Sequence, residues 1–265
     1  MAPAHYQTAT AHFRSVHQAY LRIGAFRSRW NGMAVKSIKL MRDGHFDIDK
    51  GLMVYLKTAY YGQTYHAPLR PLLVRTTEGN VLLDTGMGEM PEKLRKYYVI
   101  HRDSNLVDSL AKEGLTPDDI SVVINTHLHF DHAGNNTLFP KAEIFVQKRE
   151  LEFARNPPKF MRGGYIKDFF ETPNLKTVEG PKEIVKGLTV VPTPGHTTGH
   201  QSVLIELEST KYVYTGDVSP VKENWETGLP VGILIDVMAA VDSLERMKAT
   251  GARPIFSHDD EQWEL

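Results

Sequence analysis

Residues 125–135 read NTHLHFDHAGN, which puts His127, His129, Asp131 and His132 within six consecutive positions. An apolar core holds few histidines, and a solvated face gains little from clustering them. A polar loop with accidental histidines is the bland alternative, and it explains neither the spacing nor the partners found elsewhere. The run before it, Ile120 to Asn125, is apolar and follows a turn with Pro117, so it reads as a strand. The cluster therefore sits at a strand's C-terminal end, where open α/β layers place their chemistry. Two residues apart on an extended segment, His127 and His129 project from the same side. Asp131 and His132 follow where the chain can turn, so one pair can face one ion and the other pair a neighbouring ion.

Other strand ends supply single ligands: His196 in TPGHTTGH, Asp217 in YTGD and His258 in FSHD. Five histidines and two aspartates suffice for two borderline-soft divalent ions, Zn²⁺ first, with Co²⁺, Mn²⁺ or Fe²⁺ also suited. A structural zinc site closes with four ligands; seven drawn from four segments point to a catalytic pair with room for water. Asp217 is the natural bridging carboxylate, and a hydroxide held between two ions stays ionised at neutral pH. Asp84 in LLDTG is either a turn or cap carboxylate or the acceptor for the free ring N–H of a metal-binding histidine. His200 either competes with His196 as a ligand or packs and hydrogen-bonds. His5, His12, His17, His45, His66 and His101 show no partner pattern and read as surface or core histidines.

Farther out, residues 10–30 space Phe13, Val16, Tyr20, Ile23 and Trp30 as an amphipathic helix, weakened near Gly24. It reads as part of a helical extension, residues 1–34, packed on a main domain of 35–265. A dimerisation arm, and with it a homodimer, or an active-site lid is the functional alternative. VKSIKLMRDGHFDID predicts a strand, a turn at Asp43-Gly44 and a second strand; PLLVRTTEGNVLLDTG predicts another hairpin. A helix should stop at Gly114, AEIFVQ should be a strand, and a further helix should run near Ile235–Lys248. Residues 148–180 are irregular and rich in Phe153, Phe160, Met161, Tyr165, Phe169 and Phe170. They either wall a pocket or simply pack a long connection. Many strands with few helices fit two sheets covered by helices.

The chain has 265 residues, 41% hydrophobic and 24% charged, with a formal net charge of -1 and no cysteine. This is an ordinary globular composition with nothing to capture nucleic acid or an anionic membrane. Disulfides, thiolate metal sites and cysteine nucleophiles are excluded. The start does not read as a signal peptide and the apolar runs are strand-sized, so the expected location is the cytoplasm, with no membrane span.

With these residues assembled, the sequence resembles the metallo-β-lactamase fold superfamily. THLHFDH matches its His-x-His-x-Asp-His signature, and LLDTG, TPGHTTGH, TGD and SHD match its other segments in order, covering about residues 35–265. The resemblance implies an α/β fold, an αββα sandwich of two mixed β-sheets flanked by helices, with metals at one edge. It implies His127, His129 and His196 on one ion, Asp131, His132 and His258 on the other, and Asp217 bridging. Within the superfamily the chain looks most like the N-acyl homoserine lactonases, the quorum-quenching lactonases. That implies a zinc-type hydrolase opening a small-molecule lactone by attack of a metal-bridging hydroxide, with Asp131 and Asp217 in catalytic positions. Lactonases of the Bacillus type carry a tyrosine three residues after the bridging aspartate. Here that position is Pro220, so another donor such as Tyr165 substitutes, or the substrate differs.

Other functions of the same fold fit less well. Glyoxalase II follows the metal domain with a helical segment, and this sequence stops seven residues after His258. Exported β-lactamases need a leader, and nucleases of this fold need a basic surface or added arm. Flavin-coupled diiron proteins place Glu where His129 stands, and persulfide dioxygenases use one iron. The alternatives kept are another lactone such as a pyridoxolactone, a phosphotriester or a thioester. A non-catalytic interaction protein with a vestigial metal site would be expected to have lost ligands, and none is missing.

Overall fold

The computed structural model describes residues 34–262. The expected N-terminal helix lies outside them, as do His5, His12 and His17. Among the described residues, fourteen strands form three sheets. The first sheet has the order β1 (Val35–Leu40), β4 (Leu72–Thr76), β5 (Asn80–Leu83), β7 (Ile120–Ile124), β8 (Glu143–Gln147) and β9 (Leu175–Val178). Its first two pairings are antiparallel and the rest parallel. The second runs β10 (Lys182–Val185), β11 (Leu188–Pro192), β12 (Gln201–Leu207), β13 (Thr210–Tyr214) and β14 (Arg253–Ile255), antiparallel except for the last pair.

Strand alternation explains the layering. Leu72, Val74, Val81, Leu83 and Ile124 face inward and pack against Leu188, Val190, Val203, Ile205, Tyr214 and Ile255 of the second sheet. Their neighbours Leu73, Leu82, Val123 and Ile144 point the other way, onto Leu106 and Leu110. Among the described residues the α-helices are α1 (Glu92–Arg95), α2 (Leu106–Lys112), α3 (Lys148–Arg155), α4 (Lys167–Phe170), α5 (Lys222–Thr227) and α6 (Val237–Ala249). Asn105 caps α2, accepting from the Asp108 N–H, and Asp236 caps α6, accepting from the Ala239 N–H. The buried stripe Ala240, Ser243, Leu244 and Met247 turns α6 onto the body. At Gly195, with φ of 142°, a Cβ would lie 2.3 Å from the Ala240 backbone, so α6 fits tightly against the loop carrying His196. The fold is an αββα sandwich. None of the helices among the described residues is long and apolar enough to cross a membrane.

The 72–83 hairpin forms as expected. Residues 35–49 make both expected strands, β1 and β2 (His45–Asp49), but no hairpin. β1 pairs with β4, whereas β2 joins β3 (Thr64–Pro68) and β6 (Ile100–His101) in a third, three-stranded sheet. Asp43 decides this. Its buried carboxylate accepts from the Met87 N–H at 2.7 Å, the Leu106 N–H at 2.9 Å and Asn135 Nδ2 at 3.0 Å, which pins the corner away from a hairpin return.

Candidate metal centre

The ends of β5, β7, β11, β13 and β14 deliver Asp84, the 127–132 cluster, His196, Asp217 and His258 to one place. His127 Nε2, His129 Nδ1 and His196 Nε2 form a triangle with edges of 3.0, 3.0 and 3.2 Å. Nitrogens 2.0–2.1 Å from one tetrahedral zinc ion sit about 3.3–3.4 Å apart, so this donor set fits a single ion. Beside it, His132 Nε2 lies 3.1 Å from His258 Nε2, and Asp131 Oδ2 lies 3.8 and 3.6 Å from those two nitrogens. Asp217 stands between the sets. Its Oδ1 is 3.3 Å from His132 and 3.5 Å from His258, and its Oδ2 is 3.4 Å from His196. All seven residues of the expected ligand set therefore converge, and the donors fit two ions sharing one carboxylate.

The outer contacts fix which ring nitrogen faces inward. His132 Nδ1 donates to Asp84 Oδ2 at 2.8 Å, His196 Nδ1 to the Ile233 carbonyl at 2.6 Å and His258 Nδ1 to the Pro68 carbonyl at 2.9 Å. His127 Nδ1 donates to Thr126 Oγ1 at 3.0 Å, and that hydroxyl donates to Asp84. Each such bond leaves an Nε2 lone pair toward the centre. His200 behaves differently. Its Nε2 accepts the Asp217 backbone N–H at 2.9 Å and its Nδ1 donates to Thr193 Oγ1 at 2.8 Å. Both nitrogens are thus engaged outside the centre, and His200 holds the Asp217 backbone in place.

Burial first, then the neighbouring imidazoles, holds His127 and His129 well below the ordinary histidine range. Burial also lowers His196, and it takes His200 to about 3. Neutral imidazole is the form that coordinates metal. His132 goes the other way: burial opposes its charge, but Asp217, Asp84 and Asp131 outweigh it and raise it well above. Burial likewise opposes the charge of Asp217, and His132 and His258 hold that carboxylate well below its usual range. The carboxylates Asp217, Asp84 and Asp131 thus favour positive charge on the His132 side of the centre.

Glu150 escaped the sequence reading. It is fully buried on α3 and accepts from the Leu128 N–H and Tyr165 OH at 3.1 Å, Thr197 Oγ1 at 2.5 Å and the Gly199 N–H at 3.2 Å. It ties the 127–129 loop to the 196–199 loop. A lone Glu in an amphipathic helix carries no signal of this; only the folded chain brings the four donors to it. The Tyr165 ring lies 4.6 Å from that of His129, tilted by 58°, while its hydroxyl is committed to Glu150. Met161 and Phe169 are buried in core clusters, Phe160 is 75% exposed, and Pro220 is buried with its carbonyl accepting the His258 N–H. Gly164 closes over the site: a Cβ there would meet His129 Cδ2 at 2.7 Å. Tyr98, also outside the sequence reading, places its ring 4.7 Å from Phe130 and donates to the Gly163 carbonyl. Burial first, then the charge of Asp131, raises its phenol.

The family model of the metallo-beta-lactamase superfamily matches residues 71–258. The chain belongs to that superfamily, and it is a metal-dependent hydrolase. Among curated relatives, the N-acyl homoserine lactonase of a Bacillus species is 33% identical over 246 residues, 87% of this chain and 96% of the relative. The N-acyl homoserine lactonase AttM of Rhizobium radiobacter is 31% identical over 225 residues, 76% of this chain and 86% of the relative. A solved N-acyl homoserine lactone hydrolase with the product N-hexanoyl-L-homoserine bound at its catalytic metal center is 32% identical. It superposes with a TM-score of 0.75 over 87% of this chain and 96% of its own.

Proposed function

We propose that this chain opens the ring of N-acyl homoserine lactones. The carrying observation is Asp217, whose two oxygens divide between two histidine sets, in a chain whose likeness to N-acyl homoserine lactonases spans most of both lengths. Two divalent ions, zinc by donor type, would supply Lewis acidity and an ionised water that attacks the lactone carbonyl carbon. His127, His129 and His196 would hold one, and Asp131, His132 and His258 the other. The chain's own residues do the rest. Asp217 fixes the spacing of the two sets, and His200 fixes Asp217. Asp131 would take the proton carried by the added oxygen and pass it to the ring oxygen as the acyl C–O bond breaks, which gives a hydroxy acid. Pro220 offers no phenol and the Tyr165 hydroxyl is held in a buried bond to Glu150, so Tyr98, whose hydroxyl would exchange its exposed bond to the Gly163 carbonyl for one to the substrate, is the phenol assigned to steady it. Phe160, exposed beside the 161–166 segment that covers His129, is assigned to meet an acyl tail.

The test is a side-by-side assay of the purified, metal-loaded protein on an acyl homoserine lactone, a pyridoxolactone, a thioester, a β-lactam and a phosphotriester. Highest kcat/KM on the acyl homoserine lactone supports the reading. Faster turnover of any other member replaces it.

A further inference from the structure

Three of the histidines that had no partner pattern in the sequence meet on the three-stranded sheet. β2 is its central strand. His45 and Asp47, two residues apart on β2, share one face. His101 on β6 pairs directly with His45, and His66 on β3 pairs directly with Asp47. The sheet therefore assembles three imidazoles and one carboxylate into a cross-strand patch. Asp47 Oδ1 lies 2.7 Å from His66 Nδ1 and 3.2 Å from His101 Nε2, and one donor atom from each of the four residues lies within 4.8 Å of the others.

We propose that His45, Asp47, His66 and His101 form a further binding site for a borderline divalent cation of the zinc, copper or nickel class. Imidazole with one carboxylate is the donor set those ions prefer, and four ligands complete a closed site. Asp103 adds an orienting contact: its Oδ1 lies 3.5 Å from His45 Nδ1, which leaves Nε2 of that ring for the ion. The rings of His45 and His101 stack 4.3 Å apart with 12° between planes. Parallel rings cannot both aim lone pairs at one ion, so loading turns one of them; His101, with 41% of its side chain exposed, has room to do so. His66 is 65% exposed, which gives ions access without opening the fold.

The site is separate from the catalytic centre but mechanically adjacent to it. The opposite face of the same sheet contributes Phe46, which packs with Phe130 and stands 6.0 Å from the His258 ring. An ion cross-linking β3, β2 and β6 therefore stiffens the wall behind His258.

The test compares the wild-type holoenzyme with a His66→Ala/His101→Ala variant and, separately, with Asp47→Asn. All three are titrated with Zn²⁺ against a chromophoric chelator, and each melting curve is recorded with and without added Zn²⁺. The wild type is expected to take up one more Zn²⁺ per chain than the double variant and to melt at higher temperature when it does. The variants should keep their catalytic ions, and Asp47→Asn should weaken the extra site without abolishing folding. Equal stoichiometry and equal melting shifts in wild type and double variant would overturn the proposal, whatever the substrate proves to be.

Discussion

Asp84 shows how one carboxylate fixes several groups. It accepts from the Thr126 N–H and hydroxyl and from His132 Nδ1, and it does so from a left-handed backbone, φ 57°. A non-glycine residue in that region is strained, which the surrounding contacts must over-determine. Replacing Asp84 by Asn keeps the size but loses the charge that His132 needs. Metal affinity is expected to fall by about 10–100-fold, read by competition with a chelator. Asp217→Asn should loosen both ions, since its oxygens face both sets, whereas His258→Ala should chiefly loosen the one shared with Asp131 and His132. A D217N protein that keeps both ions at wild-type affinity would remove the bridge from the account. At this scale the ligand candidates were legible because metal chemistry admits few residue types, and each falls at the end of a readable strand. His45, His66 and His101 were not legible, because no local pattern announces which strands will become neighbours.

Among elements, α3 and the 158–170 segment carry the support of the centre. Glu150 is pushed up by burial and drawn back by its four donors, and only an ionised carboxylate can accept from all of them. Glu150→Gln turns an amide toward some of these donors. Each orphaned buried donor costs about 1–3 kcal/mol, so urea unfolding should register a loss of that size, with faster release of the ion at His127, His129 and His196. Phe160 also bears on acyl-chain length. Each methylene buried from an acyl tail contributes about 0.8 kcal/mol, close to fourfold in kcat/KM. A chain-length series should climb by up to that factor per carbon, and Phe160→Ala should flatten it; a flat wild-type profile would return Phe160 to ordinary surface. Elements with strong local pattern, such as the 72–83 hairpin, the 120–124 strand and α6, were readable in advance. The third sheet was not, because its pairings join residues 45–49, 64–68 and 100–101 through long connections and Asp43 overrides the local turn.

At the scale of the molecule, the centre makes folding sensitive to acid. His127, His129, His196 and His200 are held below their ordinary range in the folded state. The unfolded chain takes up protons on them near pH 6.5, so their contribution is full above that pH and is lost as pH falls. His132, raised, and the buried carboxyls Asp43, raised to about 6, and Glu150, also raised, work in the opposite direction, three groups against the four imidazoles. The chelated protein should therefore show a lower urea midpoint at pH 5.5 than at pH 7.5; a higher one would contradict the burial argument. The central claim is attack at the acyl carbon of a lactone by the dinuclear centre. The most direct measurement is one turnover of an N-acyl homoserine lactone in ¹⁸O-water by the metal-loaded protein. Ring opening with the label in the new carboxylate and none in the alcohol is expected. Label in the alcohol, or no ring opening at all, would contradict it.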